Sequence, residues 1–300
     1  MTSLHTPPLR FALFGNLYQA KKSGSIQQVI RSLESRGAEI LVDKAFYHYL
    51  TAELGVEIHA TELIEGEDFR ADVAVSMGGD GTFLEVASRV RDKNIPILGI
   101  NMGRLGFLAD VPAQDIDFAI EDIYNRQCTA EHHSVLQVSY SGGEPHIYPF
   151  ALNEVAVLKR DDSSMISVNV DINQQHLTTF QSDGLIINTP TGSTGYALSA
   201  GGPIVMPQCG VVGLTAVAPH SLNVRPIVLP DNVEIHLRVR SRSGHFLVAI
   251  DGRSEPCHQE MELTLTRAPY DILVLKRAGS SQFSTLRDKL LWGSDIRKDE

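Results

Sequence analysis

The chain reads as an open α/β half followed by a mostly β half, and three observations carry that prediction. From Phe11 to Tyr124, short apolar runs alternate with stretches of helical apolar spacing. Beyond Tyr124 the spacing changes to every second residue, as in Val168, Val170 and Ile172 or Phe246, Val248 and Ile250. Two glycine-rich stretches of the first half directly follow apolar runs. That places them at the carboxyl ends of parallel strands, where open α/β sheets bind ligands.

Taken in order, residues 11–14 are the first strand after a proline-containing leader. Ile26, Val29, Ile30 and Leu33 share one helical face, with Ser25 as the expected cap and Gly37 as the expected terminator. Residues 38–42 return as a strand, 43–53 as a helix, and 72–76 as a buried strand that breaks into Gly78-Gly79-Asp80-Gly81-Thr82. Phe83, Val86, Ala87 and Val90 recur at i, i+3, i+4 and i+7, so a helix starts at once. Residues 95–100 are the next strand, 101–106 the second glycine loop, and 115–124 the last helix of this half, with Ile116, Ala119, Ile120 and Ile123 on one face.

In the second half, residues 155–158 and 185–187 are strand-like, and Val233, Ile235, Leu237 and Val239 alternate. Residues 261–266 and 272–275 read as two further strands. A final helix carries Phe283, Leu286 and Leu290 on one side and is expected to pack on the first half. The expected organisation is a flexible leader (1–8), an α/β domain (9–126), a β-rich domain (127–275) and a returning tail (276–300).

The glycine turn carries the first chemical signal. Glycines allow close approach to the backbone, and a helix start offers unpaired N–H groups to an anion, so the geometry suits a phosphate. A carboxylate there would repel phosphate unless it binds a metal or a hydroxyl beside it, the two tasks of acidic groups in phosphoryl transfer. The structural alternative is a turn in which Asp80 or Thr82 caps the helix.

Residues 181–203 are the second signal: a strand runs into a loop dense in Gly, Ser and Thr around Tyr196, longer than a hairpin needs. Backbone and hydroxyls can both reach a polar ligand there. Asn153-Glu154 and Asp251-Gly252 sit at strand ends, where each pair alone reads as a turn.

Composition narrows the rest. A net charge of -10 argues against nucleic-acid partners, and basic pairs such as Lys21-Lys22, Lys159-Arg160 and Lys276-Arg277 read as solvated surface. Three widely spaced cysteines form no metal-ligand spacing and fit a reducing compartment. Of 11 histidines, the adjacent His132 and His133 read as satisfied or solvent-facing, so no protein metal site is expected. The start lacks a signal-peptide core and no apolar run is long enough for a bilayer, so a cytoplasmic protein without membrane partners is expected. No GxxxxGK[ST], GxGxxG or GxSxG signature occurs.

In this order, Gly78-Gly79-Asp80-Gly81-Thr82, the run from Gly99 to Leu108, Asn153-Glu154, the run from Ser182 to Gly202, and Ile250-Asp251-Gly252 resemble the NAD kinase family over nearly the whole chain. The first motif alone is shared with diacylglycerol and sphingosine kinase relatives, so a lipid or sugar kinase, or a dinucleotide sensor without turnover, are the competing readings. The resemblance implies an α/β domain joined to a β-sandwich-like domain whose tail returns to the first. It also implies phosphoryl transfer from ATP, complexed with Mg²⁺ or another divalent cation, to the 2'-hydroxyl of the adenosine ribose of NAD. Asp80 would be the proton acceptor, with Gly78, Gly79, Gly81 and Thr82 around the phosphates. Asn153, Glu154, Ser164, Gln181, Asp251 and Arg253 would contribute to the NAD site, and Asp183 to its nicotinamide end. Thr194, Gly195, Tyr196, Ala197, Leu198 and Ser199 would surround the adenosine, with Tyr196 stacking on adenine. The resemblance further implies a site assembled from both halves and a homo-oligomer, dimer or tetramer.

Overall fold

The structure, a computed structural model, describes residues 8–16, 23–103, 106–143, 146–160, 164–277, 279 and 281–291. Most of the expected leader, Lys21-Lys22, Arg104-Leu105 of the second glycine loop and the tail beyond Leu291 lie outside the described residues. The chain forms two compact units, Met1–Glu131 together with Ile272–Glu300, and His132–Asp271.

The first unit alternates β1 (Arg10–Gly15), α1 (Ser23–Glu34), β2 (Glu39–Asp43), α2 (Lys44–His48), β3 (Glu62–Ile64), β4 (Val73–Gly78), α3 (Asp80–Val90), β5 (Ile97–Asn101) and α4 (Ile116–Tyr124). Its strands pair in the order β5-β4-β1-β2-β3, all parallel. Every residue of β4 and β5 is buried, because a parallel sheet is covered on both faces; their sequences are therefore apolar runs rather than alternations.

Several local expectations change. α1 begins at Ser23, so Ser25 lies inside its first turn and is not the cap. Gly37 does end this helix, at φ +67°, with the N–H of Ala38 donating to the carbonyl of Leu33. Helix 43–53 divides: Asp43 caps α2 by accepting the Phe46 N–H at 3.0 Å, and Tyr49–Glu53 continues as a π-helix. The edge strand β3 has three residues, too few to leave a periodic signal.

The second unit takes over along β6 (Thr129–Ser141) and contains β7 (Phe150–Ala151), β8 (Glu154–Lys159), β9 (Ile166–Ile172), β10 (Gln175–Ser182) and β11 (Gly184–Asn188). A short helix α5 (Tyr196–Ser199) precedes β12 (Val211–Val217), β13 (Ile227–Pro230), β14 (Ile235–Arg240), β15 (His245–Ile250) and β16 (Arg253–His258). One antiparallel sheet runs β13-β12-β11-β8-β15-β16, and β10-β9-β14 run antiparallel in another. Val155, Leu185, Phe246 and Val248 of the first share one apolar core with Val168, Val170, Leu237 and Val239 of the second. The alternation in the sequence is this shared interior.

The two strands expected at 261–266 and 272–275 are one strand, β17 (Glu262–Lys276). It pairs antiparallel with β14 through Leu265 and parallel with β5 through Val274. Within the strand Arg267 forms ion pairs with Asp271 (3.0 Å) and, just beyond the end of β13, with Asp231 (2.8 Å). The expectation of a solvated Lys276-Arg277 also fails. Lys276 is 6% exposed and meets Asp110 at 2.6 Å, while Arg277 bridges Asp115 (3.1 Å) and Asp122 (2.9 Å). These pairs tie the returning chain into the first unit. It continues into α6 (Gln282–Leu290), which buries Leu286 but leaves Phe283 exposed, narrowing the expected apolar face. Among the described residues no helix is long and apolar enough to cross a membrane.

Candidate active site

In the first unit, Gly78 and Asn101 lie opposite each other at the ends of β4 and β5, so both glycine loops share one sheet edge as expected. Gly79 precedes α3 and supplies no side chain to its first turn, so neither Asp80 nor Thr82 serves as its cap. Gly81 and Thr82 fall in that first turn, Thr82 buried. Instead the Asp80 carboxylate turns to the second loop: Oδ1 accepts the N–H of Leu108 (3.0 Å) and Ala109 (3.1 Å), and Oδ2 that of Phe107 (3.0 Å). A Cβ on Gly106 would lie 2.1 Å from Oδ1, so only glycine there admits the carboxylate. Lys289 of α6 completes the set, its Nζ 3.4 Å from Oδ2 and 4.1 Å from the centroid of the Phe107 ring.

In the second unit, Asp251 organises the turn before β8. Its Oδ2 accepts the N–H of Leu152 (2.8 Å) and its Oδ1 those of Asn153 (2.8 Å) and Glu154 (3.1 Å). Burial pushes the Asp251 carboxyl up, against the pull of these amides and of Arg253. Arg253 itself donates to the carbonyls of Ile250 and Phe150, both at 3.2 Å, and lies over the Tyr148 ring. In this structure it supports the turn.

The hydroxyl-rich loop packs directly on that turn. Thr189 Oγ1 donates to the carbonyl of Leu152 at 2.6 Å and accepts the Gly192 N–H at 3.1 Å. A Cβ on Gly192 would lie 2.0 Å from the Asn153 carbonyl oxygen, so the approach requires glycine. Buried His133 holds Thr191 Oγ1 at 2.8 Å, a structural role in keeping with the sequence, and His132 is exposed. Thr194 and Ser199 spend their hydroxyls on the carbonyls of Thr191 and Tyr196. Ala197 packs with Ala156 and Ile186 on the sheet face away from the main core, and Leu198 is half-buried. Tyr196 is 39% exposed, with its ring outside that cluster.

Two acceptors in this region have no partner among the described residues, Asn153 Oδ1 and Glu154 Oε2, although both are buried. Both side chains border Gly195, where a Cβ would lie 2.8 Å from Glu154 Oε2 and 3.5 Å from Asn153 Nδ2. Burial, then the Asp251 charge, pushes the Glu154 carboxyl up to about 7, against a backbone hydrogen bond from Tyr196. Such orphaned acceptors call for a ligand that brings donors.

Ser164 and Gln181 lie elsewhere in this unit. They line a cavity of about 490 Å³ with Met165, Ser167, Arg240 and Arg242, to which Asn153, Glu154 and Tyr196 do not contribute. Asp183 pairs with Lys159 at 3.0 Å, so that basic residue too is engaged rather than free surface. Sequence reasoning missed Lys289: a lone lysine leaves no motif, and its partner Asp80 is remote in the chain. Among the described residues no group of three or more His, Cys, Asp or Glu is placed to hold a metal ion.

The family model described as the ATP-NAD kinase N-terminal domain matches residues 11–128, and that described as the ATP-NAD kinase C-terminal domain matches 152–276. An NAD kinase of Bacteroides fragilis is 53% identical over 289 residues, 96% of this chain and 100% of that protein. The chain belongs to the ATP-NAD kinase family. A Porphyromonas gingivalis NAD kinase is 39% identical, covering 96% of this chain and 99% of its own. Among solved structures, an Archaeoglobus fulgidus NAD kinase in complex with ATP matches with a TM-score of 0.70 and 26% identity, covering 94% of this chain and 99% of that one. Yeast NADH kinase complexed with NADH matches with a TM-score of 0.86 over 99% of this chain and 91% of that one; at 21% identity it speaks for the fold. Membership of this family displaces the lipid- and sugar-kinase readings, because the match includes both halves and not the glycine turn alone.

Proposed function

We propose that the chain transfers a phosphoryl group from ATP, as its complex with Mg²⁺ or another divalent cation, to the 2'-hydroxyl of the adenosine ribose of NAD. The reading extends to a cytoplasmic homo-oligomer, dimer or tetramer. The observation that carries the substrate assignment is the orphaned pair Asn153 Oδ1 and Glu154 Oε2 beside Gly195 and Tyr196. An acceptor pair of this kind suits ribose hydroxyls, and the half-exposed Tyr196 ring offers a face for adenine.

In the reaction the ribose oxygen forms a bond to the γ-phosphorus, the bond from phosphorus to the ADP oxygen breaks, and the hydroxyl proton passes to Asp80. Each carboxylate oxygen meets two donors, Oδ1 the amides of Leu108 and Ala109, and Oδ2 the amide of Phe107 and the Lys289 ammonium. A positioned base contributes about 10²- to 10⁴-fold, and alignment on the order of 7 to 11 kcal/mol, so most of the acceleration comes from placement. The amide cradle supports such placement by fixing the carboxylate against the 106–109 segment. The direct test is incubation of the purified chain with NAD, ATP and Mg²⁺, with NADP read by an NADP-specific dehydrogenase. NADP formation is expected; its absence in a folded preparation overturns the proposal.

A further inference from the structure

The Asp80 carboxylate stands at the start of α3, whose uncapped N–H groups attract phosphate while the carboxylate repels it. Something must offset that repulsion. Lys289 Nζ lies 3.4 Å from Oδ2 and over the face of Phe107, whose own N–H donates to the same Oδ2. The three groups close a triangle around one oxygen. An ammonium has three donors, so one contact with Asp80 leaves two for other acceptors.

The placement of Lys289 depends on the returning chain. The pairs Lys276–Asp110 and Arg277–Asp122 fix the residues before α6, and Leu286 anchors the helix with help from Gln282, which donates to Glu131 at 3.1 Å. With its side chain about a third exposed, Lys289 adds little to stability as an ion pair, because solvent screens such a pair.

We infer that Lys289 is a positioning residue for phosphoryl transfer, an ammonium that fixes the Asp80 carboxylate and offsets its repulsion of the incoming nucleotide phosphates. The inference rests on the kinase reading given above. It assigns the C-terminal helix a part in the chemistry of the glycine turn.

The test is a double-mutant cycle on nucleotide binding, run beside turnover. Mg-ATP affinity is measured by calorimetry for wild type, Lys289→Met, Asp80→Asn and the double variant, with kcat, both KM values and Tm for wild type, Lys289→Met and Lys289→Arg. Lys289→Met is expected to weaken Mg-ATP binding roughly tenfold and to lower kcat roughly tenfold to a hundredfold. Tm and the KM for NAD should stay near wild type. With Asp80 already neutral, Lys289→Met should cost nucleotide affinity much less, and Lys289→Arg should recover part of kcat. Equal losses of affinity in both Asp80 backgrounds overturn the inference. So does a Tm that falls with kcat while Arg is no better than Met, which marks a staple for α6. A wild type that binds Mg-ATP but forms no NADP overturns the kinase reading instead, and the binding cycle still decides the role of Lys289.

Discussion

Each unit holds one aspartate whose carboxylate accepts three consecutive backbone N–H groups, yet the two are left in different states. Asp251 gathers Leu152, Asn153 and Glu154 at the mouth of β8, from a turn in which it sits at φ +47° and Gly252 at φ +81°. Burial raises its carboxyl. Its work is to set the direction in which Asn153 and Glu154 point. Asp80 gathers Phe107, Leu108 and Ala109, but at a helix start without a side-chain cap and with one oxygen shared by a lysine. The same cradle therefore sits inside a turn in one unit and beside an ammonium at a helix start in the other. What surrounds the fourth lone pair decides the difference.

The comparison breaks most readily at Asp80. Asp80→Asn should leave a folded, NAD-binding protein whose kcat is about 10²- to 10⁴-fold lower, because the amide cannot take the ribose proton. Near-normal turnover would reduce Asp80 to a second Asp251, a loop organiser only. Calorimetric NAD affinity and a melting curve separate lost chemistry from lost structure.

Glu154 sharpens the other side. Its carboxyl sits at about 7 in the folded chain against an ordinary value of 4.5. The folded state thus holds its proton more tightly, and the stability this gives is present below pH 4.5 and lost as pH rises towards 7, about 3 kcal/mol in all. Glu154→Gln should abolish that loss, raising Tm at pH 8 relative to wild type while weakening NAD binding. A Tm difference that does not change between pH 4 and pH 8 would show that Glu154 is not the buried acid described here.

Asp251→Asn exchanges one acceptor oxygen for a donor facing a backbone N–H. The expected cost is about 1–3 kcal/mol of stability, seen in denaturant midpoints, with a raised KM for NAD as Asn153 and Glu154 shift. If instead kcat fell with stability intact, Asp251 would belong with Asp80. The smallest effect is expected from Tyr196→Ala: a KM for NAD raised roughly tenfold, the worth of about 1.4 kcal/mol of stacking. Tm should hardly move, since the ring lies outside the Ala156–Ile186–Ala197 cluster.

Much of this was legible beforehand. The central parallel strands of the first unit are continuous apolar runs, β9, β14 and β15 of the second alternate, and the glycine turn announces itself between a strand and a helix. These are local signals, fixed by the 3.6- and 2-residue periods of the backbone and by the residue types that turns admit. The residues proposed for the site stand out as motifs, though their contacts do not. Ser164 and Gln181 share a cavity apart from Asn153 and Glu154, and Arg253 donates to the backbone carbonyls of Ile250 and Phe150.

By itself, then, the sequence determined the strand–helix alternation of the first half, the two-residue period of strands such as β9, β14 and β15, the two glycine loops and the hydroxyl-rich loop. Tertiary structure alone decided which atoms the carboxylates meet. Asp80 reaches amides 27 to 29 residues away and a lysine 209 away; Asp251 reaches amides 97 to 99 away. The same holds for Lys276, an apparently exposed base that is buried on Asp110 at a separation of 166 residues. Periodicity encodes which face of an element is buried, but a hydrogen bond needs a partner within about 3 Å, and for partners so distant in the chain only the packed fold specifies that meeting.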